Sequence, residues 1–163
     1  MSAALALGQH GGGAQTAALR EALVHEAGLL HDLLAVVLRQ RAGVAQDDLE
    51  AVDDSVYAAH RVLRTLEEAR RRRRTLLARL AGSENIPLED LDAVLAEDGD
   101  AALLAARDQL VEGARGLSRE IAVNRRILRQ ALSKGEEHIR TLCGAPPASG
   151  GAGAGGLLVN RRV

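Results

Sequence analysis

Two histidines, one cysteine and a block of arginines are the side chains whose chemistry could build a site. His25 and His31 stand beside Glu26 and Asp32. Their spacing, His-Glu-Ala-Gly-Leu-Leu-His, is not the His-Glu-x-x-His of helical zinc sites. On a helix a step of six turns the second ring about 120° from the first, so the two do not share a metal. They read as surface or boundary histidines, and no metal site is expected. Cys143 is the only cysteine, which excludes an internal disulfide and fits a reducing compartment. Its nearest histidine, His138, is five residues away and off its helical face, so an inert thiol is expected. No phosphate-binding glycine loop follows a strand, since no strand is evident, and Gly11–Gly13 have linker composition. No catalytic dyad emerges. The chain reads as a non-enzyme without a cofactor.

Arg70 to Arg74 form the loudest local feature. Five consecutive residues wrap a whole helix, so no single face is uniquely basic. Nucleic-acid contact is one reading; a solvated stretch balanced by Glu67, Glu68 and the acidic segment that follows is the other. The sequence favours the second. Tyr57 is the sole aromatic, so nothing is available to stack bases, and the formal net charge is −1. No nucleic-acid partner is expected.

The apolar content is almost all Leu, Ala, Val and Ile. With 163 residues and prolines only at 87, 146 and 147, this is the composition of one domain built from long packed helices. A first helix is predicted from about Thr16 to Arg41. Its stripe is Leu19, Leu23, Ala27, Leu30, Leu34, Val37 and Leu38. Gly43 suggests a short turn. A second helix is predicted from about Gln46 to Ala81, with Leu49, Val56, Leu63 and Leu77 on one heptad position. Val52, Ala59, Leu66 and Leu80 occupy the other, and Arg70 and Arg73 interrupt that seam. Gly82 is the expected C-cap. The connection that follows is acidic. Pro87 there suits the start of a short helix over Leu88 to Ala96, and opposite charge should draw the segment toward the arginine block. Asp100 is a plausible N-cap for the last helix, which runs to about Leu142. Its stripe is Leu103, Leu110, Ala114, Leu117, Ile121, Leu128, Leu132, Ile139 and Leu142.

The expected fold is all-α: an elongated antiparallel bundle of three long helices plus a short connecting helix, with disordered tails. The domain spans 16–143, between an N-terminal tail (1–15) and a flexible C-terminal tail (144–163). The first residues lack a basic n-region and a long apolar stretch, and no run of about 18 apolar residues exists. Membrane insertion is not expected, and the location implied is cytoplasmic.

Asn124 interrupts the apolar stripe of the last helix. It is either a register-setting polar residue within a packed seam or an edge residue in water. The segment it opens, Asn-Arg-Arg-Ile-Leu-Arg-Gln-Ala-Leu (124–132), resembles the C-terminal helix of the flagellar export chaperone FlgN family. The likeness extends over residues 16–143. It takes in the Leu-rich first helix, the basic Leu-rich close of the second (Arg71 to Gly82) and the ending Thr-Leu-Cys-Gly at 141–144. The resemblance implies a cytoplasmic helical chaperone of the type III export system. Such a protein holds hook–filament junction proteins before secretion and delivers them to the flagellar export apparatus. Members often carry a Tyr in the tail after the last helix; this tail has none and closes on Leu157, Leu158, Val159, Arg161 and Arg162. The client-binding surface is expected on the second half of the last helix, at Ile121, Asn124, Ile127, Leu128, Ala131 and Leu132. The alternative is a coiled-coil scaffold that self-associates through that helix; a weak homo-oligomer is compatible with either reading.

Overall fold

The computed structural model describes residues 3–91 and 100–144, with side chains from residue 13 onward. Three α-helices carry them: α1 (Ala3–Ala45), α2 (Leu49–Ala81) and α3 (Ala101–Leu142). No strand occurs among the described residues. The expected C-terminal tail from Ala145 and the predicted helical residues 92–96 lie outside them.

α1 begins earlier than its stripe suggested. Residues 3–15, expected as an irregular tail, are helical. Ala3, Ala4, Leu5, Ala6 and Leu7 favour helix, and each of Gly11–Gly13 costs only about 1 kcal/mol relative to Ala. A helix nucleated from Leu19 onward extends backward at one hydrogen bond per residue.

α1 also ends later, and Gly43 is not the turn. It lies within the helix where α2 comes closest. A Cβ there would stand 3.1 Å from Val52 Cγ2, 3.3 Å from Ala51 Cβ and 3.3 Å from the Asp48 carbonyl. The turn follows at 46–48. Asp48 N–H donates to the Gly43 carbonyl at 2.9 Å, and Asp47 holds φ 54°. This is a Schellman-type close with Asp in the left-handed position that Gly usually fills. Asp48 then caps α2, its Oδ1 accepting from Ala51 N–H at 3.0 Å. At the far end Gly82, with φ 71°, ends α2 as its composition indicated.

Met1–Leu128 and Arg129–Val163 form two compact units. In the first, α1 and α2 make a closely packed antiparallel hairpin: Gly43 meets Val52, and Glu26 meets Arg73. α3 runs parallel to α1 within this unit. Its contacts climb together, from Arg20 with Asp100, through Leu30 near Gly113, to Gln40 with Asn124. α1 is therefore flanked by both partners and buries a broad arc. Ala22, Leu29, Leu33 and Val36 are buried as well as Leu19, Leu23, Leu30 and Val37. The narrower predicted stripe followed one flank of that arc, and Leu38, its last member, is exposed.

In α2 the seam position of Val52, Ala59, Leu66 and Leu80 faces the core along the whole helix, while the other position is covered only in the second half. Leu66 and Leu77 are buried, whereas Leu49, Val56 and Leu63 are exposed. The buried polar residue at that level is Ser55, whose hydroxyl donates back to the Val52 carbonyl. The connection contains a single 3-10 turn, Leu88–Asp90, after Pro87. It is fixed by apolar anchors: Leu91 is fully buried, and Leu88 packs on the same core. Glu84, Glu89 and Asp90 make no direct ion pair with the arginine block among the described residues, but Glu89 lines one groove with Arg70 and Arg73, so the segment lies beside the block as expected, with apolar contact anchoring it. Asp100 caps α3 as expected, accepting from Ala102 N–H at 2.9 Å.

The described part of the second unit, 129–144, is the continuation of α3 and its close at Gly144, with φ 70°.

Candidate functional site

The apolar stripe of α3 changes character along its length. Leu103, Ala106, Leu110 and Leu117 are buried in the first unit. Ile121 is exposed at the margin, at 36 %. Asn124 is the last buried residue of the helix, and Ile127 and Leu128 are half-buried. Sequence reasoning grouped Ile121, Asn124, Ile127 and Leu128 with Ala131 and Leu132. The structure divides them: the first four belong to the first unit and the last two to the second.

Asn124 marks the change. Its Nδ2 donates to Gln40 Oε1 at 2.6 Å, from α3 to α1. One turn earlier Glu120 pairs with Arg41 at 2.5 Å. These polar contacts fix which residues of α1 and α3 stand level, as a buried Asn does in a coiled coil. Of the two readings open for Asn124, the structure takes the seam. Asn124 Oδ1 and Arg41 Nε are buried without a partner among the described residues, so the network is incompletely satisfied.

In the second unit Leu132, Ile139 and Leu142 are 65 %, 63 % and 74 % exposed. At 100° per residue they fall within about 80° of one another around the helix, with Gly135 in the same sector and Ala131 just beyond its edge. A Cβ on Gly135 would meet nothing within 4 Å, so the stripe is open at its middle. Arg129, Glu136 and Arg140 border it. An apolar strip edged by charges on a free helix can receive an amphipathic helix, the apolar residues supplying affinity and the edges orientation.

The other side chains singled out at first fall elsewhere. His25, His31, His138 and Cys143 are exposed. Among the described residues no cluster of His, Cys, Asp or Glu is placed to hold a metal ion. Two members of the arginine block have a partner that sequence reasoning missed. Arg73 Nε donates to Glu26 Oε2 at 2.8 Å, and Arg70 Nε lies 3.4 Å from Oε1. Glu26 is only 3 % exposed. The signal was present: Glu26 falls on the Leu stripe of α1, and Arg73 on the seam of α2.

The sequence model of a family described as FlgN protein matches residues 15–151, most of the chain. The chain belongs to the FlgN family of flagellar export chaperones. No curated protein and no solved structure matches it. The matched span of this FlgN-family chain takes in the packed core, the Asn124 network and the exposed stripe of α3 together.

Proposed function

We propose that this protein is a cytoplasmic, non-catalytic chaperone of the flagellar type III export system. It binds hook–filament junction proteins, keeps them from aggregating and presents them to the export apparatus. The helical chaperone domain is residues 16–143. Clients dock as amphipathic helices on the second half of α3. Leu132, Ile139 and Leu142 supply the main apolar contact, with Ala131 beside them. Ile121, Ile127 and Leu128 lie further back along the helix. Asn124 engages Gln40 in the free chain and acts by setting the position of α3.

The observation that carries this reading is the exposed Leu132, Ile139 and Leu142 stripe on a helix of a FlgN-family chain. Three large aliphatic side chains left in water on one side of a helix are a liability for a monomer and an asset for a protein that must cover a client. No described helix is long and apolar enough to cross a membrane, which agrees with a peripheral delivery role. The chemistry invoked needs no cofactor and no nucleic acid.

The exposed Leu49, Val56 and Leu63 of α2 favour a second reading, a scaffold that self-associates through long helices. Size exclusion with light scattering separates the two. The chaperone reading expects a mixed complex when the full chain is combined with a purified junction protein, with a mass equal to a sum of the two. A concentration-dependent homo-oligomer that ignores junction proteins supports the scaffold.

A further inference from the structure

A second surface lies within the first unit. Leu30 of α1, Leu110 and Ala114 of α3, and Pro87 and Leu88 of the connection enclose a groove of about 410 Å³. Arg70, Arg73 and Arg115 stand around it. Leu30 and Leu110 are buried, so the floor is apolar and anchored in the core. The walls are basic. Arg73 is tied to the buried Glu26, and Arg70 approaches the same carboxylate with its side chain still 47 % exposed. Arg115 is exposed and has no ion pair among the described residues. Arg71 and Arg74, next to Arg70 on α2, line an adjoining hollow and are likewise unpaired among the described residues.

We propose that this groove binds an acidic peptide segment of a partner protein through an apolar anchor residue. Its leucine-sized side chain enters between Leu30, Leu110 and Pro87, and flanking carboxylates meet Arg70, Arg74 and Arg115. Charge complementarity selects the occupant. Three arginines face two carboxylates, Glu26 and Glu89, around the groove, and in the adjoining hollow Arg71 and Arg74 against Glu67 extend the excess by one. Guanidinium forks take carboxylates in paired hydrogen bonds. Glu26 has a positioning role: by fixing Arg73 and restraining Arg70 it lowers the entropy lost when a ligand arrives. The same buried carboxylate, together with an aliphatic floor lacking any ring to stack a base, disfavours nucleic acid. The proposal does not rest on the client-binding reading of α3.

The test is fluorescence anisotropy on the full chain, using a short labelled peptide with leucines spaced among glutamates. Two analogues accompany it, one with Gln for every Glu and one with Ser for every Leu, and a single-stranded DNA oligonucleotide is the fourth probe. The acidic leucine peptide should bind, and both analogues should bind at least tenfold more weakly. Arg115→Glu should weaken the peptide about tenfold, the worth of one charge-assisted hydrogen bond. Ala114→Gln, which fills the groove without changing charge, should also weaken it. Both positions are exposed, so helicity and melting should hold. Leu132→Asp should leave peptide binding unchanged, which keeps this surface separable from the α3 stripe. Equal binding of the Gln analogue, or indifference to both groove variants, overturns the proposal. Tighter binding of the oligonucleotide with the same Arg115 dependence assigns the arginines to nucleic acid instead. A dimer mass that Arg115→Glu abolishes assigns the groove to a second copy of the chain.

Discussion

Glu26 and Arg73 show how two charges can sit on apolar stripes without breaking them. Each lies where a leucine would be expected, and each meets the other across the α1–α2 hairpin at 2.8 Å. Removing one partner of a buried pair leaves the other uncompensated, which costs about 3–5 kcal/mol in well-buried cases. Arg73 and Arg70 can swing partly toward water, so Glu26→Ala should lose about 3 kcal/mol in urea denaturation. Arg73→Ala should cost more than Arg70→Ala, because Arg73 is closer to Glu26 and its side chain is 15 % exposed against 47 %. Equal losses would mean that Glu26 exchanges freely between them. Asn124 behaves differently. One half of its amide is bonded to Gln40 and the other is buried unpaired. Exchange for an apolar residue of similar size removes that unmet acceptor, and half-buried Gln40 can turn to water. Asn124→Leu should therefore leave the melting temperature unchanged or raise it. A clear fall would show that the network contributes net stability and not only register.

The helices themselves were legible because composition and period agreed. Gly82 and Asp100 stood out as caps since each has a local task that needs few residues to read: a left-handed φ for one, an accepting side chain for the other. The α1–α2 corner was misread because its glycine serves tertiary contact. Gly43 looked like a turn residue, while the left-handed position went to Asp47. The exposure of Leu49, Val56 and Leu63 on α2 was also illegible, since a heptad pattern says which side is apolar but not whether a partner covers it. Two glycines of α1 make the point measurable. Gly28 is exposed, with nothing within 4 Å of an added Cβ, so Gly28→Ala should stabilise by about 1 kcal/mol through helix propensity alone. Gly43→Ala gains the same propensity but drives a Cβ against Val52, Ala51 and the Asp48 carbonyl. Ala51 Cβ and the carbonyl are fixed to the backbone and cannot yield as a side-chain end can. Gly43→Ala should therefore lower the melting temperature while Gly28→Ala raises it, and Val52→Ala beside Gly43→Ala should recover only part of the loss.

At the scale of the molecule, the residues grouped from sequence as one candidate site divide between a packed segment and an exposed one. The 124–132 segment joins both kinds of residue, and only burial separates Asn124, which holds α3 to α1, from Leu132, which is exposed. That division decides how the binding proposal is tested. A substitution within the first unit, such as Leu117→Asp, would bury a charge and unfold the domain whatever α3 binds. Leu132 and Ile139 are about two-thirds exposed, so aspartate at both should change stability little. Each full contact of such an aliphatic side chain with a client is worth about 1.5–3 kcal/mol, and losing two would weaken a complex at least a hundredfold. The expected result for Leu132→Asp with Ile139→Asp is wild-type helicity and melting, with no junction-protein complex on size exclusion. If the double variant still forms the complex, the client lies elsewhere, and the exposed Leu49, Val56 and Leu63 face of α2 becomes the next surface to mutate. If it melts early, these leucine and isoleucine side chains hold the fold, and the stripe is not a free surface at all.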